Sequence, residues 1–109
     1  MVNVKIAKDF SDAPGGRYIV EGPFSGELFR STILKPKYLE AINKKDKLLV
    51  DFDGSFGYST SFLEESFGGL TRELGVKGIL SNVEIISNDD ATIHRLVYEY
   101  VDKAEKKLR

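Results

Sequence analysis

Hydrophobic and polar residues alternate at the start of the chain, and this period of two predicts a strand. Val2, Val4 and Ile6 are separated by polar residues, as in a half-buried strand. A Gly- and Pro-containing turn cluster follows at 11–16, and Tyr18-Ile19-Val20 then predicts a second strand. Because the connection is short, we expect these two strands to pair antiparallel.

Two further apolar runs predict the remaining strands. Leu48-Leu49-Val50-Asp51-Phe52 is nearly continuous, which is typical of a strand buried on both faces of an α/β sheet. Val83-Glu84-Ile85-Ile86 predicts the last strand.

Three stretches carry apolar residues at helical spacing. Ser25 is placed to cap the first helix, and Pro36 predicts a break or kink within it. The second helix covers 62–74, and the Gly68-Gly69 pair inside it predicts the close approach of a neighbouring backbone. The third helix runs from Ile93 to Leu108 and is the most clearly amphipathic.

The order of these elements is β-β-α-(α)-β-α-β-α, which predicts an α/β fold with a mixed four-stranded sheet covered by helices. With 109 residues, 41% of them hydrophobic, the chain has room for one core. We therefore expect a single domain over residues 1–109.

Composition narrows the function classes. Sixteen basic and seventeen acidic residues give a net charge of −1, so no overall field attracts nucleic acid or a membrane surface. The absence of cysteine excludes disulfides, a thiolate nucleophile and cysteine-bound zinc. No signal-peptide block and no membrane-length apolar stretch is present, so we expect a cytoplasmic protein. We expect no cofactor.

The strand that ends in Asp51-Phe52-Asp53-Gly54 carries one enzymatic alternative. It resembles the nucleophile motif of haloacid-dehalogenase-type phosphatases, which implies a magnesium-dependent phosphohydrolase using Asp51 and Asp53. Asn88-Asp89-Asp90 resembles the downstream acidic motif of those enzymes. However, that fold places several strands after the nucleophile, and here only one follows. The favoured interpretation is that Asp51 ends a strand and Asp53-Gly54 form a turn.

The hydroxyl-rich segment from Gly54 to Ser61 leads from this strand into a helix. A free helix N-terminus can bind an anion, so a small-anion or nucleotide sensor is a second alternative. The Gly-Lys-Ser/Thr ending of a P-loop is absent. Ser61-Phe62-Leu63-Glu64 has the spacing of a capping box, which predicts that Ser61 caps the helix and Glu64 reaches back.

Four segments together resemble a known family. Residues 50–54 and 59–68 are similar to the STAS-like domain family of unknown function, and residues 14–17 and 22–30 are similar to its N-terminal half. That family is small, mainly bacterial and often found near histidine-kinase-like ATPase domains. The resemblance implies a STAS-like fold and a non-enzymatic signalling role through protein contacts.

The wider STAS group includes anti-sigma-factor antagonists, in which a partner kinase phosphorylates a serine at a strand–helix junction. Ser61 matches that serine, although Ser59 and Phe62 replace the Asp and Gly beside it. The resemblance therefore implies Ser61 as a phosphorylation or switch site and an ATPase-like partner, with a homodimer left open. The residues expected to dock the partner are Tyr58, Ser59, Thr60, Ser61, Glu64 and Glu65.

Overall fold

The sheet of the computed structural model, which describes residues 1–108, contains three strands, all parallel. They are β1 (Val2–Lys5), β2 (Leu48–Asp51) and β3 (Val83–Ile86), in the spatial order β1-β2-β3. Val4 pairs with Val50, which pairs with Ile85. Because the strands are parallel, each connection crosses over through helices and the carboxyl ends of all three strands meet at one edge.

Two long helices are built from consecutive segments, each with a π-helical stretch in the middle. The elements between the strands are α1 (Ile6–Asp9), a 3₁₀ turn (Ile19–Glu21), α2 (Gly26–Phe29, π-helical Arg30–Leu34, Lys35–Asn43), α3 (Thr60–Leu63, π-helical Glu64–Gly68, Gly69–Leu74) and a 3₁₀ turn (Ile79–Asn82); α4 (Thr92–Lys106) follows β3. No helix within residues 1–108 is long and apolar enough to cross a bilayer.

The predicted second strand is wrong, and with it the mixed four-stranded sheet. Tyr18-Ile19-Val20 enters a 3₁₀ turn instead. The Glu21 carboxylate accepts the N–H groups of Arg17 and Tyr18 at 2.9 and 2.7 Å, and Glu27 accepts that of Ile19 at 2.9 Å. Since side chains satisfy these amides, the segment needs no strand partner.

Of the predicted break or kink at Pro36, the break is wrong, because α2 continues through this residue. The π-helical stretch lies immediately before the proline, and the Lys35 N–H donates to the Arg30 carbonyl five residues earlier. Proline has no N–H and collides with the preceding turn of a regular α-helix. A widened turn at this point accommodates the ring without ending the helix.

The sheet buries one face only, so the expectation that β2 is buried on both faces is wrong. Leu48 and Val50 are fully buried, whereas Leu49 is half-buried and its neighbour Asn3 on β1 is exposed. The helices and the buried aromatic side chains pack on the face that carries Leu48 and Val50. Those aromatic residues are Phe29, Tyr38, Phe52, Phe62 and Phe67.

The first turns of α2 and α3 touch through a glycine. A Cβ atom on Gly26 would lie 2.7 Å from the Phe62 carbonyl oxygen and 3.0 Å from the Glu65 Cβ. Gly26 follows the N-cap Ser25, whose hydroxyl accepts the Leu28 N–H at 3.1 Å as predicted. The absent side chain therefore sets how closely the two helices approach.

Replacing Gly26 by alanine is expected to destabilise the fold by about 1–3 kcal/mol, because the added methyl group forces the helices apart. Gly22→Ala is the matched control, since nothing lies within 4 Å of its Cβ position and its backbone is extended. Urea unfolding of both variants measures the difference. Equal free energies of unfolding for the two variants would contradict the close contact.

Candidate functional site

Two loops at the carboxyl edge of the sheet are joined by a reciprocal carboxylate–amide clamp. The Asp53 carboxylate accepts the backbone N–H groups of Asn88 and Asp89 at 2.7 and 2.9 Å, and the Asn88 side-chain amide at 2.9 Å. In return, Asp89 accepts the Gly54 N–H at 2.9 Å. The hydrogen bond from the Asp89 amide, with those from Asn88, lowers the pKa of Asp53. Asp53 thus links the loop after β2 to the loop after β3.

Asp51 also makes polar contacts at the carboxyl edge of the sheet. Its carboxylate accepts the Asp53 N–H at 2.9 Å and pairs with the Lys5 ammonium at 3.2 Å. Lys5 also donates to the Asp53 carbonyl oxygen at 3.2 Å. Within residues 1–108, no group of three or more His, Asp or Glu side chains is arranged to hold a metal ion. The interpretation that Asp51 ends the strand and Asp53-Gly54 form a turn is confirmed.

The loop between this edge and α3 presents an aromatic side chain to solvent. Phe56 is 88% exposed, and Gly54 and Gly57 beside it have φ angles of 90° and 134°, which strongly favour glycine. The Phe56 N–H donates to the Asp12 carbonyl oxygen at 2.7 Å. The backbone of the loop is therefore held by a hydrogen bond at Phe56, although the phenyl ring itself is exposed to solvent.

Tyr58 forms the inner wall of this loop. Its hydroxyl donates to the Phe52 carbonyl oxygen at 2.8 Å, and its ring packs on those of Phe52 and Phe62 with centroids 5.2 and 5.9 Å apart. Burial raises the pKa of the Tyr58 phenol. Beside it lies a cleft of about 230 Å³, lined by Phe52, Ser55, Phe56, Gly57, Tyr58, Ser87, Asp89 and Asp90.

Ser59, and not Ser61, caps α3. The Ser59 hydroxyl accepts the Phe62 N–H at 3.1 Å, so the helix begins at Thr60 and the predicted capping box at Ser61 is wrong. Ser59 and Ser61 are only two residues apart, so the sequence offers two candidate caps for this helix. In the structure the cap is Ser59. Ser61 is half-buried in the first turn, and its hydroxyl makes no hydrogen bond to the described residues.

Glu65 lies at the centre of an ion-pair cluster between α2 and α3. It is only 7% exposed, and its carboxylate contacts Arg30 at 2.5 Å, Arg17 at 3.4 Å and Arg72 at 3.8 Å. Glu64 pairs with Arg17 at 2.5 Å and with Arg72 at 2.6 Å. The structure therefore places both glutamates in arginine contacts behind the junction.

The same cluster explains the glycine pair in α3. A Cβ on Gly69 would clash with the Arg30 guanidinium, and a Cβ on Gly68 would clash with the Glu64 carboxylate. The expectation of a neighbouring backbone is wrong here, because charged side chains cross the helix at these positions. Sequence reasoning missed these arginines since their partners lie far away along the chain.

Of the sequence-predicted residues, Tyr58, Ser59, Thr60 and Ser61 form one continuous surface segment with exposed or half-buried side chains. Sequence reasoning overlooked Phe56, although an aromatic residue between two glycines in a turn was a usable signal.

Comparison with known proteins identifies a family to which this chain is similar. A family model described as a STAS-like domain of unknown function covers residues 25–92. This range includes α2, β2, α3, β3 and both loops of the clamp. No curated protein and no solved structure matches the chain.

Glu65→Gln is expected to lower the free energy of unfolding by roughly 3 kcal/mol, because Arg30 and Arg17 lose a buried carboxylate partner and Arg30 keeps only its more exposed pair with Glu73. Glu40→Gln removes an exposed pair with Lys44 and is the control, with little change expected. Chemical denaturation checks both. Equal effects of the two substitutions would contradict a central role for Glu65.

Stability should fall in acid partly through Glu64. Burial alone would raise the pKa of this carboxyl, but hydrogen bonds from Arg72 and Arg17 outweigh it and lower the pKa. A lowered pKa contributes stability above the unfolded-state value of 4.5, and this stability is lost as pH falls through the folded-state value. The stability difference between wild type and Glu64→Gln should therefore shrink as pH drops below 4.5 in pH-dependent unfolding. A constant difference would contradict this assignment.

Proposed function

The chain belongs to the STAS-like domain family of unknown function, and we propose that it is a non-enzymatic regulatory module that docks a protein partner through the strand–helix junction at residues 54–65. STAS-like domains are generally binding modules without catalytic activity. The docking role of this junction is our proposal.

The observation that carries the proposal is the exposed ring of Phe56 on a braced loop. Exposed aromatic side chains are frequent anchors of protein interfaces because they bury a large area in a partner pocket. The hydrogen bonds at Asp12 and Gly54 hold the loop before any partner arrives. A surface ordered in advance loses less conformational entropy on binding.

Residues 58–61 form the rest of the proposed docking surface. Tyr58 contributes a ring edge, and Ser59, Thr60 and Ser61 contribute hydroxyl groups around the start of α3. Glu64 and Glu65 support this surface from behind, because their arginine contacts hold the first turns of α3 against α2.

Ser61 is the proposed switch. A phosphate would add about −1.5 to −2 charges at neutral pH, and the N-terminal turn of α3 tolerates negative charge. A partner surface fitted to a neutral hydroxyl would be repelled. A histidine-kinase-like ATPase in the cytoplasm is the partner class that the family resemblance favours, and self-association is the other arrangement that a capture experiment distinguishes.

Neither alternative function has a specific observation in its favour. The Asp51 carboxylate pairs with Lys5, and the Asp53 carboxylate accepts hydrogen bonds from backbone amides. These contacts give both carboxylates a structural role. The carboxylates of Asp89 and Asp90 line the cleft beside the junction, where they would repel a phosphate or nucleotide.

Affinity capture from the cell of origin tests the proposal. Wild type should retain a specific protein, identified by mass spectrometry, that Phe56→Ala and Ser61→Asp lose. Ser61→Ala, which adds no charge, and Tyr98→Ala, which removes another exposed aromatic side chain, should retain it.

Retention of the same protein by Phe56→Ala would contradict docking through this loop. Retention by Ser61→Asp alone would contradict charge control and leave the docking surface supported. Thermal unfolding of each variant checks that lost capture does not reflect lost folding.

A further inference from the structure

The charges of the chain are unevenly distributed around the proposed docking surface. Residues 48–71 contain no lysine or arginine, although the chain has sixteen. The same stretch contains four acidic residues, and the adjoining loop after β3 adds Asp89 and Asp90. Glu64, Glu65 and Asp51 pair with basic side chains, so the acidic surface at the carboxyl edge of the sheet consists of Asp53, Asp89 and Asp90, which form no ion pair with the described residues.

The cleft at this edge combines apolar walls with hydrogen-bond acceptors. Phe52, Phe56 and Tyr58 supply aromatic surface, and no basic side chain is among the residues that line it. The Asp89 Oδ2 atom accepts the Gly54 N–H, and the Asp90 Oδ1 atom accepts from Thr92. The second oxygen of each carboxylate makes no hydrogen bond to the described residues and is available to a ligand.

No Lys, Arg or His side chain within residues 1–108 forms an ion pair with Asp89 or Asp90. Lys5 lies at the clamp, where its ammonium group pairs with Asp51 and donates to the Asp53 carbonyl oxygen. Hydrogen bonds from the Thr92 hydroxyl and amide lower the pKa of Asp90, so its charge is present throughout the physiological range. A cationic group of a partner would complement the negative charge of Asp89 and Asp90.

We propose that the cleft receives an arginine side chain from a basic segment of the protein partner, with Phe56 and Tyr58 against the guanidinium group and Asp89 and Asp90 accepting its hydrogen bonds. This inference rests on the proposed docking function and names the chemistry of the partner.

Arginine fits this cleft better than lysine does. Its planar guanidinium group stacks on aromatic rings and donates five hydrogen bonds in a fixed fork, so one side chain can reach two carboxylates. A cleft of about 230 Å³ is large enough for one such side chain but small for a folded element. The exposed ring of Phe56 then covers the apolar stem of the arginine.

The test is a titration of the full chain with the capped tripeptide acetyl-Gly-Arg-Gly-amide, followed by amide chemical shifts in NMR spectra. Saturable shifts are expected at residues 54–57 and 87–90. The matched probe replaces arginine by citrulline, which keeps the shape and removes the charge. We expect it to bind at least about tenfold more weakly, because charge-assisted hydrogen bonds are lost.

Single substitutions test whether the arginine probe binds at Asp89 and Asp90. Asp90→Asn and Asp89→Asn keep the side-chain oxygens that accept from Thr92 and Gly54, and each should weaken arginine binding. Asp102→Asn, which removes an exposed carboxylate on α4, should leave it unchanged. Equal shifts with the citrulline probe, shifts spread over all acidic residues, or no shifts at residues 54–57 and 87–90 would overturn the inference.

The outcomes separate this inference from the proposed function. If Phe56→Ala abolishes partner capture and the arginine probe does not bind, the docking surface stands and the basic partner chemistry is wrong. If the arginine probe binds at the cleft and Phe56→Ala does not affect capture, the cleft chemistry stands and the partner uses another surface.

Discussion

The organisation of the site depends on one carboxylate. Asp53 accepts two backbone N–H groups and one side-chain amide from the loop after β3, and Asp89 in that loop returns a hydrogen bond to Gly54. Parallel strands bring these loops to one edge of the sheet but do not fix their separation. The clamp joins them, and residues of both loops line the cleft that contains Phe56 and Asp90.

The buried carboxylate of Glu65 holds α2 and α3 together through ion pairs. It is surrounded by arginines from the segment before α2, from α2 and from α3. Gly26 permits the close approach of the helices, and Gly69 leaves space for Arg30 to cross. The junction is therefore held by contacts on both sides, which favours a surface that recognises a partner without rearrangement.

Periodicity predicted the three strands of the sheet and all of the long helices, because the alternation and the helical spacing report directly on burial. It failed at Tyr18-Ile19-Val20, where β-forming residues lie in a turn whose amides are satisfied by Glu21 and Glu27. The capping-box spacing failed at Ser61, since Ser59 caps α3 instead. Both failures arise from side-chain hydrogen bonds, which local patterns do not determine.

The central claim is that a partner covers Phe56, and site-specific photo-crosslinking in the cell of origin tests it most directly. A benzophenone amino acid is placed at position 56 and, as a control, at Tyr98, which is 65% exposed and lies beside Gly78 before β3. The account predicts a discrete adduct with one protein from position 56 and none from position 98. Identical adducts from both positions, or no adduct from position 56, would contradict it.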